Sequence, residues 1–229
     1  MEGANNNTAV GLVSTSALTT GDFNTGLGAY SNYLVTTGSE NTALGYSSGL
    51  YNATGTQNVY VGAFSGQGNS GDSHTANVGL GYKTLYSITT VGYASQNFLA
   101  SGRRNVAVGY ESLRNNVIGD NNTAIGYEAM ESFVADTDEH GNNTAVGHNA
   151  MQGNVTGTDN TVIGNQSAFS GTNNMTAGDN NTFIGSKSTP NSATPTNETV
   201  IGYNAVGQAD NSVTLGNSSV TDVFMGSDS

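Results

Sequence analysis

The chain has no cysteine and no tryptophan, and only two prolines and five lysines and arginines in 229 residues. Without cysteine there is neither a disulfide framework nor a thiolate zinc site to support a small core. Five basic residues against 17 acidic ones give a formal charge of -12, which argues against binding nucleic acid or an anionic membrane through a basic surface. No apolar run approaches the roughly 18 residues of a membrane span, and the opening MEGANNN lacks the basic and apolar regions of a signal peptide, so no membrane insertion is expected. With 35% hydrophobic residues the chain is also too poor in apolar groups for a conventional globular core of its length. Such a composition fits either disorder or a repeat, and periodicity separates the two.

Glycine is abundant, with 32 copies, and it is periodic. A five-residue unit, Asn-Thr-Ala-aliphatic-Gly, ends at Gly11, Gly28, Gly45, Gly62, Gly81, Gly92, Gly109, Gly126, Gly147, Gly164, Gly185, Gly202 and Gly216. The residue before each of these 13 glycines is Val, Leu or Ile. Most spacings are 17, and the length changes fall between units, as in a solenoid that inserts loops without disturbing its coils. The fold class expected is all-β, a parallel β-solenoid of about 13 coils. The chain reads as one repeat domain over 1–229, with coils over about 5–221 and short terminal segments 1–4 and 222–229.

Side chains alternate along a strand, so Thr8 and Val10 share one face while Asn7 and Ala9 share the other. The Thr position becomes Val59, Val78, Val106 and Val213, a swap of similar shape that assigns this face to the coil interior. The expected buried column is therefore Val10, Leu44, Val108, Ile125, Val146 and Ile163. A strand apolar on both faces is normally covered on both, which sets Ala107, Ala124 and Ala145 against a neighbouring chain in a homo-oligomer. After each Gly a weaker element carries an apolar residue four positions on, as at Leu113, Met130, Met151, Val206 and Val220, and predicts a short return strand.

The last copy, Asn211-Ser212-Val213-Thr214-Leu215-Gly216-Asn217-Ser218-Ser219-Val220, resembles the head repeat of YadA-like trimeric autotransporter adhesins. The 17-residue copies are similar to the related repeats of bacteriophage tail fibres. The resemblance spans roughly residues 5 to 221 and implies a left-handed β-roll in which three chains pack along a common axis. No stalk or anchor pattern follows the repeats, and the expectation drawn from that is a phage fibre segment.

Few residues carry chemistry. Gly45-Tyr46-Ser47-Ser48-Gly49 matches the G-x-S-x-G nucleophile elbow, but its first Gly is the repeat Gly and no helix pattern follows. The cluster Asp136-Thr137-Asp138-Glu139-His140 offers oxygen ligands without the spacing of a calcium loop, and reads as a solvated acidic loop. Tyr46, Tyr82, Tyr93, Tyr110, Tyr127 and Tyr203 recur just after the repeat Gly, with His148 in the same slot. In register they form an aromatic ladder that stabilises the roll or meets a sugar. The Asn column, including Asn24, Asn41, Asn105 and Asn122, predicts an amide ladder that closes turns. No catalytic residue, metal site or cofactor is expected.

The function expected is a structural and receptor-binding segment of a trimeric fibre, on a virion or at a cell surface, contacting host-surface carbohydrate. Receptor contacts are expected on the long inter-coil segments, at Asp136, Asp138, His140, Asn173 and Asn174, because loops on a rigid scaffold concentrate binding residues. The alternatives are the head of a bacterial trimeric adhesin and an ice-binding solenoid. The second is disfavoured here by placing the Thr row inside the coil.

Overall fold

The computed structural model describes residues 3–70, 73–88, 102–135, 140–169 and 173–224. Twelve strands of three residues each follow one another along the chain: β1 Thr8–Val10, β2 Thr25–Leu27, β3 Thr42–Leu44, β4 Val59–Val61, β5 Val78–Leu80, β6 Val106–Val108, β7 Thr123–Ile125, β8 Thr144–Val146, β9 Thr161–Ile163, β10 Thr182–Ile184, β11 Thr199–Ile201 and β12 Val213–Leu215. They form one parallel sheet in sequence order, each strand pairing with the next in register, Thr on Thr or Val and aliphatic on aliphatic. The protein is a parallel β-solenoid, and eleven steps of about 4.8 Å make its sheet roughly 53 Å long.

The count is one lower than the sequence predicts. β5 bonds directly to β6 across the 28 residues from Gly81 to Gly109, so the Gly92 copy has no rung in this sheet. That copy, with Tyr93, lies outside the described residues.

The orientation of the strand is the reverse of the expected one. Ala43, Ala107, Ala124 and Ala145 are fully buried within the single chain, and the Thr and aliphatic columns point outward. Val10 is 56% exposed, Ile125 40% and Ile163 39%, while Leu44, Val108 and Val146 are half-buried. The reason is that the rest of the coil folds back over the Ala side of the strand. Opposite the strand, Ser112 Oγ donates to the carbonyl of Ala124 at 2.9 Å, Ser65 Oγ to that of Gly79 at 3.0 Å, and Ser48 Oγ to that of Tyr60 at 3.0 Å. That wall covers the Ala side of the strand, where the slot holds Ala124, Gly79 or the buried Tyr60 ring, and leaves the Thr and aliphatic side open.

The return element also differs. The residues two and four after the repeat Gly are left-handed, as in Glu111 (φ 51°) and Leu113 (φ 49°), or Glu128 (φ 51°) and Met130 (φ 52°). Alternating handedness cannot make a strand, which needs φ near -120° throughout. It makes a ladder of turns instead: Glu111 N donates to Tyr82 O on the coil before, and Leu113 N to Ala129 O on the coil after. Leu113, Met130 and Met151 fill the interior as expected, whereas Val206 and Val220 are exposed at the C-terminal end.

Two columns close the coil. The repeat Gly has φ near 135°, and a Cβ on Gly45 would lie 2.6 Å from the carbonyl oxygen of Gly62, so only glycine stacks there. The Asn column is a buried amide ladder: Asn105 Oδ1 accepts the backbone N–H of Asn122 at 2.9 Å and its Nδ2 at 3.1 Å. In most coils Nδ2 also donates to the carbonyl three residues before the following Asn, as Asn105 to Gly119 at 2.8 Å and Asn24 to Gly38 at 2.8 Å. That acceptor position is a second glycine column, at Gly21, Gly38, Gly55, Gly102, Gly119, Gly157 and Gly178. The side chains thereby satisfy backbone groups buried at a corner where no strand partner exists.

Candidate functional site

One edge of the solenoid carries a continuous aromatic column. Tyr30, Tyr46, Phe64, Tyr82, Tyr110, Tyr127 and His148 follow one another over successive coils, with neighbouring ring centroids 5.1 to 6.0 Å apart. From Tyr82 to His148 the rings are nearly parallel, at 20°, 8° and 12°, and stack face to face. From Tyr30 to Tyr82 they meet edge to face, at 78°, 78° and 87°. The change follows from the sequence. Tyr82, Tyr110 and Tyr127 stand directly after the repeat Gly, but Tyr30 and Phe64 stand two after it, in the left-handed position (φ 60° for both). The shifted rings turn across the column instead of along it. Tyr203 stands apart, because Asn165 and Ser186 occupy the slot in the two coils before it.

Where the column turns, a cleft of about 320 Å³ opens. Tyr30, Tyr33, Tyr46, Tyr51 and Phe64 form its walls, with Ser47, Leu50 and Gln67 completing it. Ser47 and Leu50 are buried, and Tyr46 is 50% exposed at the rim. The Gln67 carbonyl accepts the backbone N–H of Tyr51 at 3.0 Å, which ties the two neighbouring coils together beneath the cleft. The side-chain Oε1 of Gln67 is buried with no hydrogen-bond partner. No Asp, Glu, Lys or Arg lines the cleft. The nearby cation, Lys83, sits 5.3 Å from the Tyr82 ring and 5.4 Å from that of Tyr86, in cation–π range of both.

The stacked half of the column has different company. Gln152 Nε2 donates to Glu128 at 2.7 Å and to Glu131 at 3.0 Å, and Arg114 bridges Glu131 at 3.0 Å and Glu111 at 3.3 Å. The phenol of Tyr127 is pushed up from its ordinary pKa, chiefly by hydrogen bonding to the Glu128 carboxylate and then by partial desolvation. The parallel rings and this polar belt link successive coils on the outside of the middle of the rod.

The interior beneath the cleft is equally distinct. Tyr60 occupies the strand slot that is Ala43 in the coil before and Gly79 in the coil after. Its hydroxyl donates to Asn58 Oδ1 at 3.1 Å and shares a 2.8 Å hydrogen bond with Nδ1 of the fully buried His74. Burial drives His74 down to a pKa of about 3, so the ring is neutral, and His74 Nε2 has no partner. The His74 carbonyl accepts Nδ2 of Asn58 at 2.6 Å, so this residue takes a place in the second glycine column and is part of the frame.

The residues expected to touch a receptor are not gathered in one place. Asp136 and Asp138 lie outside the described residues. His140 takes the slot that is Gly119 and Gly157 in the flanking coils, next to Gly141, which bridges Asp120. Asn173 donates from Nδ2 to Asn191 O at 2.8 Å, bonded to the following coil, and Asn174 Oδ1 is buried without a partner. Ser47 of the G-x-S-x-G match lies in the turn ladder with φ 53°, with no helix behind it, so the strained strand-to-helix turn of a nucleophile elbow is absent at this motif. Among the described residues no group of three or more His, Asp or Glu is placed to hold a metal, and no helix is long and apolar enough to cross a membrane. The cleft itself escaped sequence reading: Tyr46 was legible in the periodic slot, but Tyr30, Tyr33, Tyr51 and Phe64 fall one to five places off it. An excess of aromatics over residues 30–67 is the signal that marks the place.

No protein-family model, no curated protein and no solved structure matches this chain.

Proposed function

We propose that this chain is a structural and receptor-binding segment of a trimeric fibre, of the phage tail-fibre kind, that meets carbohydrate on a host surface. The observation that carries the reading is the outward sheet face. Leu27, Leu80, Ile125, Ile163, Ile184 and Ile201 stack in one exposed column beside a row of Thr and Val, along the whole length of the sheet. A contiguous apolar strip of that length on a chain of net charge -12 is a surface for another protein. Parallel copies of the same strip around a common axis cover it with matching residues at matching heights. The covering chain therefore meets the Thr and aliphatic face, and Ala107, Ala124 and Ala145 need no neighbour because the coil already encloses them.

Paired charges test this. Ile125→Glu with Ile163→Glu should leave each coil's own interior unchanged and dissociate the assembly, read by light scattering and circular dichroism. The labelled wild-type protein should adsorb saturably to particular strains in a panel of bacteria. A wild type that is monomeric and adsorbs to no strain overturns the reading.

The exposed Thr row supports a second reading, an ice-binding solenoid. Thr8, Thr25, Thr42, Thr123, Thr144, Thr161, Thr182 and Thr199 all head outward-facing triplets, since the buried Ala column turns them away from the coil interior. Such a protein works as a free flat face. Thermal hysteresis by a monomer favours it, and a trimer without hysteresis excludes it.

A further inference from the structure

The cleft beneath Tyr46 has three properties that together define what fits it. Its rings are crossed and not stacked, since each of the contacts Tyr30–Tyr46, Tyr46–Phe64 and Tyr30–Tyr33 is edge to face, and Tyr46 is 50% exposed at the rim. Gln67, one of its lining residues, has a buried amide oxygen, Oε1, without a hydrogen-bond partner. The cleft is free of fixed charge. A buried acceptor without a partner costs about 1 to 3 kcal/mol, so a ligand that donates a hydrogen bond there recovers that cost. Exposed aromatic faces attract a flat apolar surface of similar size.

We infer that the cleft binds a neutral pyranose sugar: its C–H face lies on the Tyr46 ring and one hydroxyl donates to Gln67 Oε1. This deepens the fibre reading and rests on it, since it names the site and the chemical class of the receptor. A pyranose combines an apolar face with a rim of hydroxyl donors, which matches both features at once. A sialylated or otherwise acidic sugar finds no cation among the lining residues, and a basic peptide finds no carboxylate. The stacked half of the column offers no equivalent place, because Tyr110 and Tyr127 cover one another's faces at 5.1 Å. The receptor site thus sits on the regular coils of the N-terminal half instead of the long inter-coil segments.

The test uses the full chain and a printed array of neutral gluco-, galacto- and N-acetylglucosamine oligosaccharides beside sialylated ones. Affinities for those retained are then measured by tyrosine fluorescence, the chain having no tryptophan. Wild type should bind neutral oligosaccharides. Tyr46→Ala and Gln67→Met should each weaken binding roughly tenfold or more. Tyr127→Ala should stay within about twofold of wild type, because its ring face is already occupied. Tyr46 is half-exposed and Gln67→Met keeps the side-chain length, so loss of binding in a variant with wild-type circular dichroism is loss of the site. Retention of acidic sugars alone, of no sugar, or of neutral sugars equally by wild type and both variants overturns the assignment. Adsorption to bacteria separates the two claims: if wild type and Tyr46→Ala adsorb equally, the cleft is not the receptor site while the fibre reading stands. If neither adsorbs, the receptor role falls and the array alone judges the cleft.

Discussion

The N-terminal coils around Tyr60 and the middle coils around Ala124 solve the same packing problem in opposite ways. In the middle, a small strand residue faces a large turn residue, as Ala107, Ala124 and Ala145 go with Leu113, Met130 and Met151. Around β4 the sizes are exchanged: Tyr60 stands in the strand and glycines stand four after the repeat Gly, at Gly49 and Gly66. A Cβ on Gly49 would lie 3.4 Å from the Tyr60 ring, and one on Gly66 would overlap it. The outside changes over the same stretch, from stacked rings to crossed ones, and there the cleft opens. The bulk moves from the turn to the strand, and the Tyr60 ring takes the space left by both Gly49 and Gly66. Regularity serves cohesion, and its interruption makes a concave surface.

The largest expected effect comes from forcing the two solutions together. Gly66→Leu sets a large turn residue against Tyr60 and should cost about 3 kcal/mol or more, and Tyr60→Ala alone should cost about 3–5 kcal/mol through its cavity. The double variant approximates a middle coil and should cost less than the sum, by chemical denaturation. Additive losses would show that the exchange of bulk is incidental.

The buried His74 should make the N-terminal coils the acid-sensitive ones. The unfolded chain binds a proton near pH 6.5 but the folded His74 only near 3, so stability is whole above 6.5 and falls as pH drops through that window. The loss should be about 1.4 kcal/mol per pH unit, local by hydrogen exchange. Placing the glycine of the regular column there, His74→Gly with Tyr60→Phe, should remove the dependence.

Glu198 ends the amide ladder with the opposite sign. Its backbone N–H is held by Asn181 Oδ1 at 2.9 Å, while its buried carboxyl has one oxygen on Asn191 N and the other unpartnered. Burial raises its pKa, so the charged form disfavours the fold, an effect absent below the ordinary carboxyl pKa and growing as pH rises. Glu198→Gln should stabilise by roughly 1 kcal/mol at neutral pH, with the gain disappearing in acid, as read from denaturation midpoints.

The smallest effect compares the two aromatic arrangements directly. Tyr110→Ala, in the stacked half, and Tyr46→Ala, in the crossed half, should each cost about 0.5–1.5 kcal/mol beyond the area lost, by chemical denaturation. An equal cost would mean that crossed and stacked rings support the rod alike.

The period, the parallel architecture, the repeat Gly and the Asn ladder were all legible, because each rests on one residue type recurring at one place. The inside of the coil was not. Alternation divides a strand into two faces without naming the inner one, and the Thr-to-Val exchange at Val59 and Val106 fits an outward position that another chain covers as well as an inward one. What decides it is the side on which the turn wall closes, marked by the Ser112 and Ser65 hydrogen bonds to the strand across from them. The Gly92 copy misled for a related reason: it has the unit's last residues but no Asn at the ladder position, and the Asn77 Nδ2 bond goes on to Gly102. The second glycine column was hidden because His74, His140 and Pro195 interrupt it.

Sedimentation equilibrium of the wild-type chain at micromolar concentration tests the central claim, that the outward Thr and aliphatic face is where copies of this chain meet. The account predicts three times the 23.3 kDa chain mass, reduced to one by Ile125→Glu with Ile163→Glu. A stable monomer, or an oligomer that those two charges leave intact, contradicts it.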